Sequence, residues 1–214
     1  WIINRLFEHA GSADLDSRLR RTDFHDQNND PVYPSLGIPI AELEQQQGVL
    51  LVGSDLRREA PILAHRLRKA ALKGCSVGVL NAVDHPYLFT VADTHIVEPD
   101  EWCATLAGLV VAAGGELPPA LASMSNVSSS GSVDYLKHAP SLILLGQMAQ
   151  RHPAFGTLRY LAAVLAQLTG ATLGYVTDGA NTAGVSLAGV LPHRSAGGKP
   201  RPEVGHNVLS MRPK

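Results

Sequence analysis

The sequence predicts an α/β protein in which a doubly wound, mainly parallel sheet occupies about residues 40–180. Two observations predict this class. Short apolar runs of strand length recur along this part of the chain, and segments of helix length with an apolar face separate them. Strands separated in this way form βαβ units, whose right-handed crossovers place helices on both faces of one sheet.

An N-terminal extension, residues 1–39, precedes the predicted sheet. The segment WIINRLFEH, residues 1–9, is predicted to be the end of a helix, because its apolar side chains share one face at helical spacing. These side chains are Ile2, Ile3, Leu6 and Phe7. The rest of the extension is rich in Asp, Asn, Pro and Gly, which predicts mostly loop. The segment IAELEQQ, residues 40–46, is predicted to be a short helix before the first strand.

The first strand and the helix after it have well-marked ends. The segment GVLLVG, residues 48–53, is a continuous apolar run, typical of a strand that is buried on both faces of a parallel sheet. Pro61 suits the first position of the next helix, where its missing N–H does no harm. Lys73 followed by Gly74 is typical of a helix end. The apolar stripe of this helix consists of Leu63, Leu67, Ala70 and Ala71.

Strands and helices then alternate as far as about residue 180. Further strands are predicted at 75–82, 94–97, 141–146 and 171–177, and further helices at 100–115 and 153–170. A serine-rich segment, residues 123–132, is predicted to be a surface loop; a domain boundary is the alternative, which the resumed alternation disfavours. Residues 181–214 are predicted to be a loop-like C-terminal tail with at most a short helical turn.

Sheets of this class bind ligands beyond the carboxyl ends of their strands. The turn Gly53-Ser54-Asp55 follows the first strand, and its backbone N–H groups could hold a phosphate. The alternative is that Gly53 only ends the strand while Ser54 or Asp55 caps the next helix. Local sequence favours this alternative, because neither G-x-G-x-x-G nor G-x-x-x-x-G-K-[ST] is present. Arg57 and Arg58 lie early in the helix, where cations are mildly unfavourable, so we expect them to have an anionic partner, a carboxylate as readily as a phosphate. They are candidates for an internal ion pair or a subunit contact.

Other strand ends are candidates for the same reason. These are Asn81-Ala82-Val83-Asp84, Gly146-Gln147 and Asp178-Gly179. In the last of them, small residues and Asn181 directly follow a strand, which suits close approach to a ligand or to another chain. The pattern suits an ordinary turn nearly as well. The candidate cofactor-binding residues are therefore Gly53, Ser54, Asp55, Asp178, Gly179 and Asn181.

No catalytic residue and no metal ligand can be nominated. The two cysteines, Cys75 and Cys103, are far apart and form no C-x-x-C pair, which argues against a zinc or iron–sulfur site built from cysteine. The nine histidines match no zinc motif and are predicted to lie in loops or on the surface. The segment GVSLAG, residues 184–189, differs from a nucleophile elbow, since alanine replaces the second glycine.

Charge and hydropathy exclude two classes of partner. The formal net charge of −1 gives no support for a nucleic-acid surface. The most apolar run, residues 106–115, is too short to cross a bilayer, so no direct membrane insertion is expected. The chain opens on Trp1, and we interpret it as a piece of a longer protein.

Three segments, taken in order, resemble the large iron–sulfur subunit of bacterial NADH–quinone oxidoreductase, which is respiratory complex I. They are AGSADLDSRLRR (10–21), GVLLVGSDLRREAPILAHRLRKAALKG (48–74) and DGANTAGVSLAGVLPHR (178–194). More distantly, the chain is similar to molybdopterin-dependent oxidoreductases such as formate dehydrogenases and nitrate reductases. The resemblance implies a Rossmann-like domain of the molybdopterin oxidoreductase fold.

The resemblance also implies a function. In the molybdenum relatives, the turn matched by Gly53-Ser54-Asp55 lies beside the nucleotide part of the pterin cofactor. Complex I uses no molybdenum, so the resemblance implies a non-catalytic structural or assembly domain with an empty or remodelled site and no cofactor of its own. The iron–sulfur clusters of the large subunit would lie in its N-terminal part, ahead of this region.

The implied partners are other subunits of the peripheral arm of complex I. The implied location is cytoplasmic, with peripheral association at the inner membrane through the complex. The alternative is a cofactor-binding domain of a true molybdopterin-dependent oxidoreductase. A free-standing nucleotide-binding enzyme is disfavoured by the missing glycine fingerprint and by the lack of a plausible base.

Overall fold

The computed structural model describes residues 1–126 and 132–211. The chain divides into two compact units. One, the sheet unit, comprises Leu36–Gln150 and Thr157–Val176, and the other, the terminal unit, comprises Trp1–Ser35, Arg151–Gly156 and Thr177–Lys214. Within the described ranges, no helix is long and apolar enough to cross a membrane.

The sheet unit contains five parallel strands, as the sequence predicts. They are β1 (Gly48–Val52), β2 (Ser76–Asn81), β3 (Asp93–Ile96), β4 (Ser141–Leu145) and β5 (Thr172–Tyr175). Their order in the sheet is β3-β2-β1-β4-β5, with Gly48 of β1 beside Ser76 on one side and Ser141 on the other. The direction of winding therefore reverses between β1 and β4, which is where doubly wound sheets bind ligands.

Eight α-helices accompany the strands in the described residues. They are α1 (Ile2–His9), α2 (Leu56–Glu59), α3 (Pro61–Leu72), α4 (Trp102–Ala112), α5 (Pro119–Ala122), α6 (Gln147–Gln150), α7 (Phe155–Thr169) and α8 (Thr182–Leu187). Short 3₁₀ helices occupy Gln27–Asn29, Ile40–Gln45, Pro99–Glu101, Ser123–Asn126, Asp134–Lys137 and Ala196–Gly198. The expected short helix at 40–46 is thus a 3₁₀ helix. Of the predicted serine-rich loop, residues 127–131 lie outside the described part of the chain.

The central strands β1 and β4 are buried on both faces of the sheet. Val49 and Leu51 of β1 pack in one core cluster with Leu67 and Ala70 of α3. Leu50, which points to the opposite face because side chains alternate along a strand, is also fully buried. Burial on both faces is the reason why β1 and β4 read as unbroken apolar runs, whereas half-buried and exposed residues alternate in the edge strand β3. The five parallel strands and their helices confirm the predicted doubly wound class.

The structure corrects the predicted extent of the helix after Gly53. We expected one helix after Gly53, with Arg57 and Arg58 in its first turns. The chain instead forms α2, a single turn, and then leaves helical geometry at Ala60 (φ −150°, ψ 79°) before Pro61 starts α3. A residue before proline is disfavoured in the helical region, which accounts for the break at Ala60.

Helix α1 forms at the predicted place, but its apolar face is exposed. Ile2, Ile3 and Leu6 are exposed, whereas the buried side chain of the helix is Asn4. The Asn4 amide group donates to Glu8 Oε1 at 2.9 Å and accepts from Arg201 Nη2 at 2.6 Å. Hydrogen bonding to two charged partners offsets the cost of burying the amide.

Candidate functional site

The switch point of the sheet brings three of the four predicted turns together. The chain leaves β1 through Gly53-Ser54-Asp55 and leaves β4 through Gly146-Gln147, and these segments are directly bonded. Gly146 N–H donates to Val52 O at 2.8 Å, and Met148 N–H donates to Gly53 O at 3.1 Å. From β2, the amide of Asn81 donates to Ser54 O at 2.9 Å. Asp178-Gly179, the fourth turn, belongs to the terminal unit.

Two glycines allow this close approach. Gly53 has φ +57°, and a Cβ there would lie 2.6 Å from the Trp102 ring and 2.7 Å from the backbone N of Ala149. A Cβ at Gly146 would lie 2.3 Å from Gly53 O and 2.5 Å from Ser54 Cα. Both contacts are with backbone or a buried ring, so neighbouring atoms have little room to move. Gly53 is therefore required by packing against α4 and α6, and Gly146 by packing against the turn after β1.

The carboxylate of Glu59 takes the hydrogen-bond donors of this turn. It accepts from the Ser54 hydroxyl at 2.9 Å, from Asp55 N–H at 3.0 Å and from Gln147 N–H at 3.2 Å. The first two donors follow β1 and the third follows β4. A single carboxylate thus bridges the two strand ends at the switch point.

Glu59 also replaces the expected helix cap. Asp55 is the N-terminal cap residue of α2, but its side chain makes no capping hydrogen bond. The Glu59 carboxylate instead accepts from the N–H of Asp55. This resembles a capping box, in which the acidic residue is the third of the helix, whereas Glu59 is the fourth. Asp55 therefore lies at the cap position, as predicted, but neither Asp55 nor Ser54 caps the helix with its side chain, and the Ser54 hydroxyl donates to Glu59.

The two arginines of α2 have separate partners and are both exposed. Arg57 Nη1 donates to the carbonyl of Pro86 at 2.8 Å. Arg58 Nε lies 3.4 Å from the Asp55 carboxylate, which also lies 3.7 Å from His85 Nδ1. Arg58 therefore has an internal anionic partner, whereas Arg57 has a backbone carbonyl.

The turn after β5 is held by charge. Asp178 forms ion pairs with Arg151 and with Arg20, the latter at 3.3 Å. Asn181 precedes α8 as its cap residue without a capping side-chain hydrogen bond, and a Cβ at Gly184 would lie 2.1 Å from Asn181 Oδ1. Within the terminal unit, then, the carboxylate of this turn is already paired with two guanidinium groups.

Nucleophile and metal chemistry find little support in the described residues. Ser186 of GVSLAG lies inside α8, is buried, and donates to Thr182 O at 2.9 Å, so it does not occupy a strand-to-helix turn. Both cysteines are buried and are not joined in a disulfide, and burial raises the pKa of the Cys75 thiol to about 11. Over residues 1–126 and 132–211, no group of three or more His, Cys, Asp and Glu side chains could hold a metal ion.

Two histidines, His193 and His152, lie in loops, as predicted, but their side chains are buried. His193 is only 4% exposed, and neither ring nitrogen has a hydrogen-bond partner among the described residues. Burial, followed by the nearby charges of Arg18 and Arg194, lowers the pKa of His193 from 6.5 to about 4. His152 is also buried, and its Nδ1 accepts from Ala154 N–H at 3.0 Å. His193 is thus a neutral core residue at pH 7.

The Glu59 contacts bear on whether the switch point suits a phosphorylated cofactor. A phosphate here would need the N–H groups and the hydroxyl that the carboxylate already occupies, and it would lie against a like charge. The turn therefore does not fit a phosphate group with Glu59 in this position. The sequence did not single out Glu59, although an acidic residue in the first turn of a predicted helix is a recognisable capping signal.

The sequence was also compared with known proteins. The family model described as molybdopterin oxidoreductase matches residues 2–197, which is most of the 214-residue chain. No curated protein gives a significant match. The family match extends over residues of both compact units. The chain therefore belongs to the molybdopterin oxidoreductase family.

Proposed function

We propose that this chain is a non-catalytic structural domain of the large iron–sulfur subunit of a bacterial NADH–quinone oxidoreductase. Family membership makes it part of an oxidoreductase of the molybdopterin type. The complex I assignment is finer than the family, and it is supported by the three segments that resemble this subunit. In this role the domain holds neighbouring subunits in place, while electron transfer uses iron–sulfur clusters elsewhere in the large subunit.

The observation that carries the proposal is the Glu59 carboxylate at the switch point. It bonds to Ser54, Asp55 and Gln147, which follow two different strands. A residue of the chain thus occupies the place where a family member with a working cofactor would need free donors. Such internal occupancy is expected when a cofactor fold is retained for its shape and its original ligand is lost.

Metal analysis tests the proposal directly. The chain would be produced in a bacterial host that makes the pterin cofactor, purified, and measured for molybdenum and iron by mass spectrometry. We expect neither metal in stoichiometric amount. Stoichiometric molybdenum together with pterin would overturn the structural role and support the alternative, a cofactor-binding domain of a molybdopterin-dependent oxidoreductase.

Calorimetry with GDP tests the same point at the turn itself. We expect the wild-type chain to give no saturable heat with GDP, because Glu59 takes the donors that its phosphates would use. NADH should likewise give no saturable heat, since the chain lacks G-x-G-x-x-G. A micromolar isotherm with either nucleotide would contradict the proposal.

Assembly is the activity that the proposal predicts. Arg57 and Arg58 are exposed on α2, and reversing both charges with Arg57→Glu and Arg58→Glu should reduce co-purification with the other peripheral-arm subunits. The matched control is the same reversal at Lys69 and Lys73, near the end of α3. Circular dichroism of the isolated variants should be unchanged. Loss of folding in the Arg57, Arg58 variant would show that these side chains act within the domain instead.

A further inference from the structure

A groove of about 310 Å³ lies between α3 and the segment that follows β2 in the sheet unit. Its lining includes Leu51, Leu56 and Leu67, and all three are buried. Tyr87 and Phe89, from the segment after β2, also line it, with ring centroids 5.6 Å apart. This interior is apolar and aromatic, which is the usual lining of a small-molecule site, and the volume lies at the lower end of the range for such sites.

The other lining side chains include two arginines. Arg57 Nη1 donates to the carbonyl of Pro86 at 2.8 Å, and Arg68 Nε donates to the carbonyl of Leu88 at 3.2 Å. A guanidinium group has five N–H donors, so each arginine keeps donors beyond the one that its carbonyl uses. Neither has a carboxylate within salt-bridge distance in the described part of the chain. His65 is a third nitrogen-bearing side chain in the lining.

Two carboxylates near the groove, those of Asp55 and Glu44, have partners outside its lining. Asp55 pairs with Arg58 and His85. Glu44 pairs with Arg66 and Lys69, away from the groove lining. With Glu59 bonded at the switch point, the lining contains two guanidinium groups and no Asp or Glu among the described residues. The lining therefore carries positive charge, while the carboxylates of Asp55, Asp84 and Glu59, outside the lining, act on Tyr87.

We propose that this groove binds a small ligand that has an aromatic or aliphatic body and a single anionic group, either a carboxylate or a phosphate. The body would bury its surface against the leucines and rings, and the anion would accept charge-assisted hydrogen bonds from Arg57 and Arg68. The site is distinct from the switch point, since the lining includes none of the residues that bond to the Glu59 carboxylate. It does not depend on the proposed structural role.

The test uses two fluorescent dyes of nearly the same shape. 8-Anilinonaphthalene-1-sulfonate is an aromatic anion, and N-phenyl-1-naphthylamine is the neutral molecule that lacks the sulfonate. Each would be titrated into the full chain in dilute buffer, with emission recorded against dye concentration. We expect the anionic dye to bind at one saturable site and at least about tenfold more tightly than the neutral dye, as charge-assisted hydrogen bonds predict.

Two variants assign the binding to the groove. Arg57→Gln with Arg68→Gln should weaken the anionic dye about tenfold and leave the neutral dye within about twofold. Ala64→Phe should remove saturable binding of both dyes, because Ala64 lines the groove and the added ring fills it. The control is Arg66→Gln with Lys69→Gln, which removes the same charge from α3 outside the groove lining and should change neither titration. Circular dichroism should be the same for all variants.

Three results would overturn the inference. The first is equal affinity for the two dyes, which would remove the role of the arginines. The second is binding of the anionic dye that survives Ala64→Phe, which would place the dye elsewhere on the chain. The third is no saturable binding of either dye, which would leave the groove to a protein partner or without a ligand.

Discussion

The turns after β1 and β5 look alike in sequence but are stabilised in opposite ways. Each follows a strand, contains glycine and precedes a helix. After β1, the carboxylate of Glu59 accepts from backbone N–H groups and a hydroxyl. After β5, the carboxylate of Asp178 pairs with the guanidinium groups of Arg20 and Arg151. The first turn is fixed by directed hydrogen bonds in a close-packed setting, and the second is fixed by charge at a partly exposed position.

This difference teaches how a cofactor turn can lose its ligand. A phosphate site is a set of N–H donors, and one carboxylate of the same chain can occupy that set without changing the strands around it. The turn after β5 differs. Its Asp178 carboxylate neutralises the charges of Arg20 and Arg151 and does not occupy a set of N–H donors. The first turn should therefore be the more sensitive to mutation.

The largest effect is expected for Gly53→Ala. The new Cβ would lie 2.6 Å from the Trp102 ring, at a φ of +57°. Left-handed strain and overpacking together should lower the free energy of unfolding by about 3 kcal/mol or more, measured by urea denaturation. The matched control is Gly179→Ala in the other turn, where the nearest atom is Thr182 Oγ1 at 3.3 Å. Gly179→Ala should lower the free energy of unfolding by about 0.5 kcal/mol or less. If the two variants lost equal stability, the two turns would not differ in the way described.

Glu59→Ala should have the next largest effect. It leaves two backbone N–H groups and the Ser54 hydroxyl without their acceptor, which should lower the free energy of unfolding by about 2 kcal/mol. Glu59→Gln should cost about half as much, since its amide oxygen still accepts. Hydrogen exchange gives a local measurement, because the amides of Asp55 and Gln147 should lose protection in Glu59→Ala. Unchanged protection of both amides would show that Glu59 does not hold the two strand ends together.

His193 gives the terminal unit a dependence on pH. Its pKa is about 4 in the folded chain and 6.5 in the unfolded chain, so the unfolded chain binds the extra proton between these values. Stability should therefore fall as pH falls from 6.5 towards 4, by about 2 kcal/mol between pH 7 and pH 5. His193→Gln should remove this part of the pH dependence in urea denaturation. The exposed His138→Gln serves as control and should leave it intact. If the free energy of unfolding changed with pH equally in both variants, the pH dependence would belong to groups other than His193.

The smallest effect is expected at Asp178. Arg20 is 64% exposed in its side chain and Asp178 is 31% exposed, so solvent screens their interaction. Asp178→Asn should lower the free energy of unfolding by about 0.5 kcal/mol at low salt, and the difference should vanish near 1 M salt. A loss as large as that of Glu59→Ala, persisting in high salt, would show that the second turn is also fixed by directed hydrogen bonds.

Most of the sheet unit could be predicted from local pattern. The strands β1, β2 and β4 lie where the apolar runs predict them, and α3 begins at Pro61 as expected. These features are local, because burial on both faces of a parallel sheet requires a continuous apolar run and a helix start requires only a suitable first residue. The break at Ala60 was missed, although the proline that follows it was a signal.

The candidate site was predicted only in part. Gly53, Ser54 and Asp55 do lie at the switch point, but the residue that decides their chemistry, Glu59, was not identified. Its third donor is Gln147, and a contact over 88 positions leaves no local pattern in either segment. The burial of His193 among charged neighbours was missed for the same reason.

The sequence by itself determined the α/β class, the strands and the positions of the glycines at strand ends, because hydrophobic periodicity and backbone conformation are properties of short segments. Only the tertiary structure decided what fills the turn at the switch point and which arginines line a groove. Those outcomes depend on donors, acceptors and charges that come from separate parts of the chain. These groups meet only because β1 lies beside β4 and α3 lies beside the segment after β2.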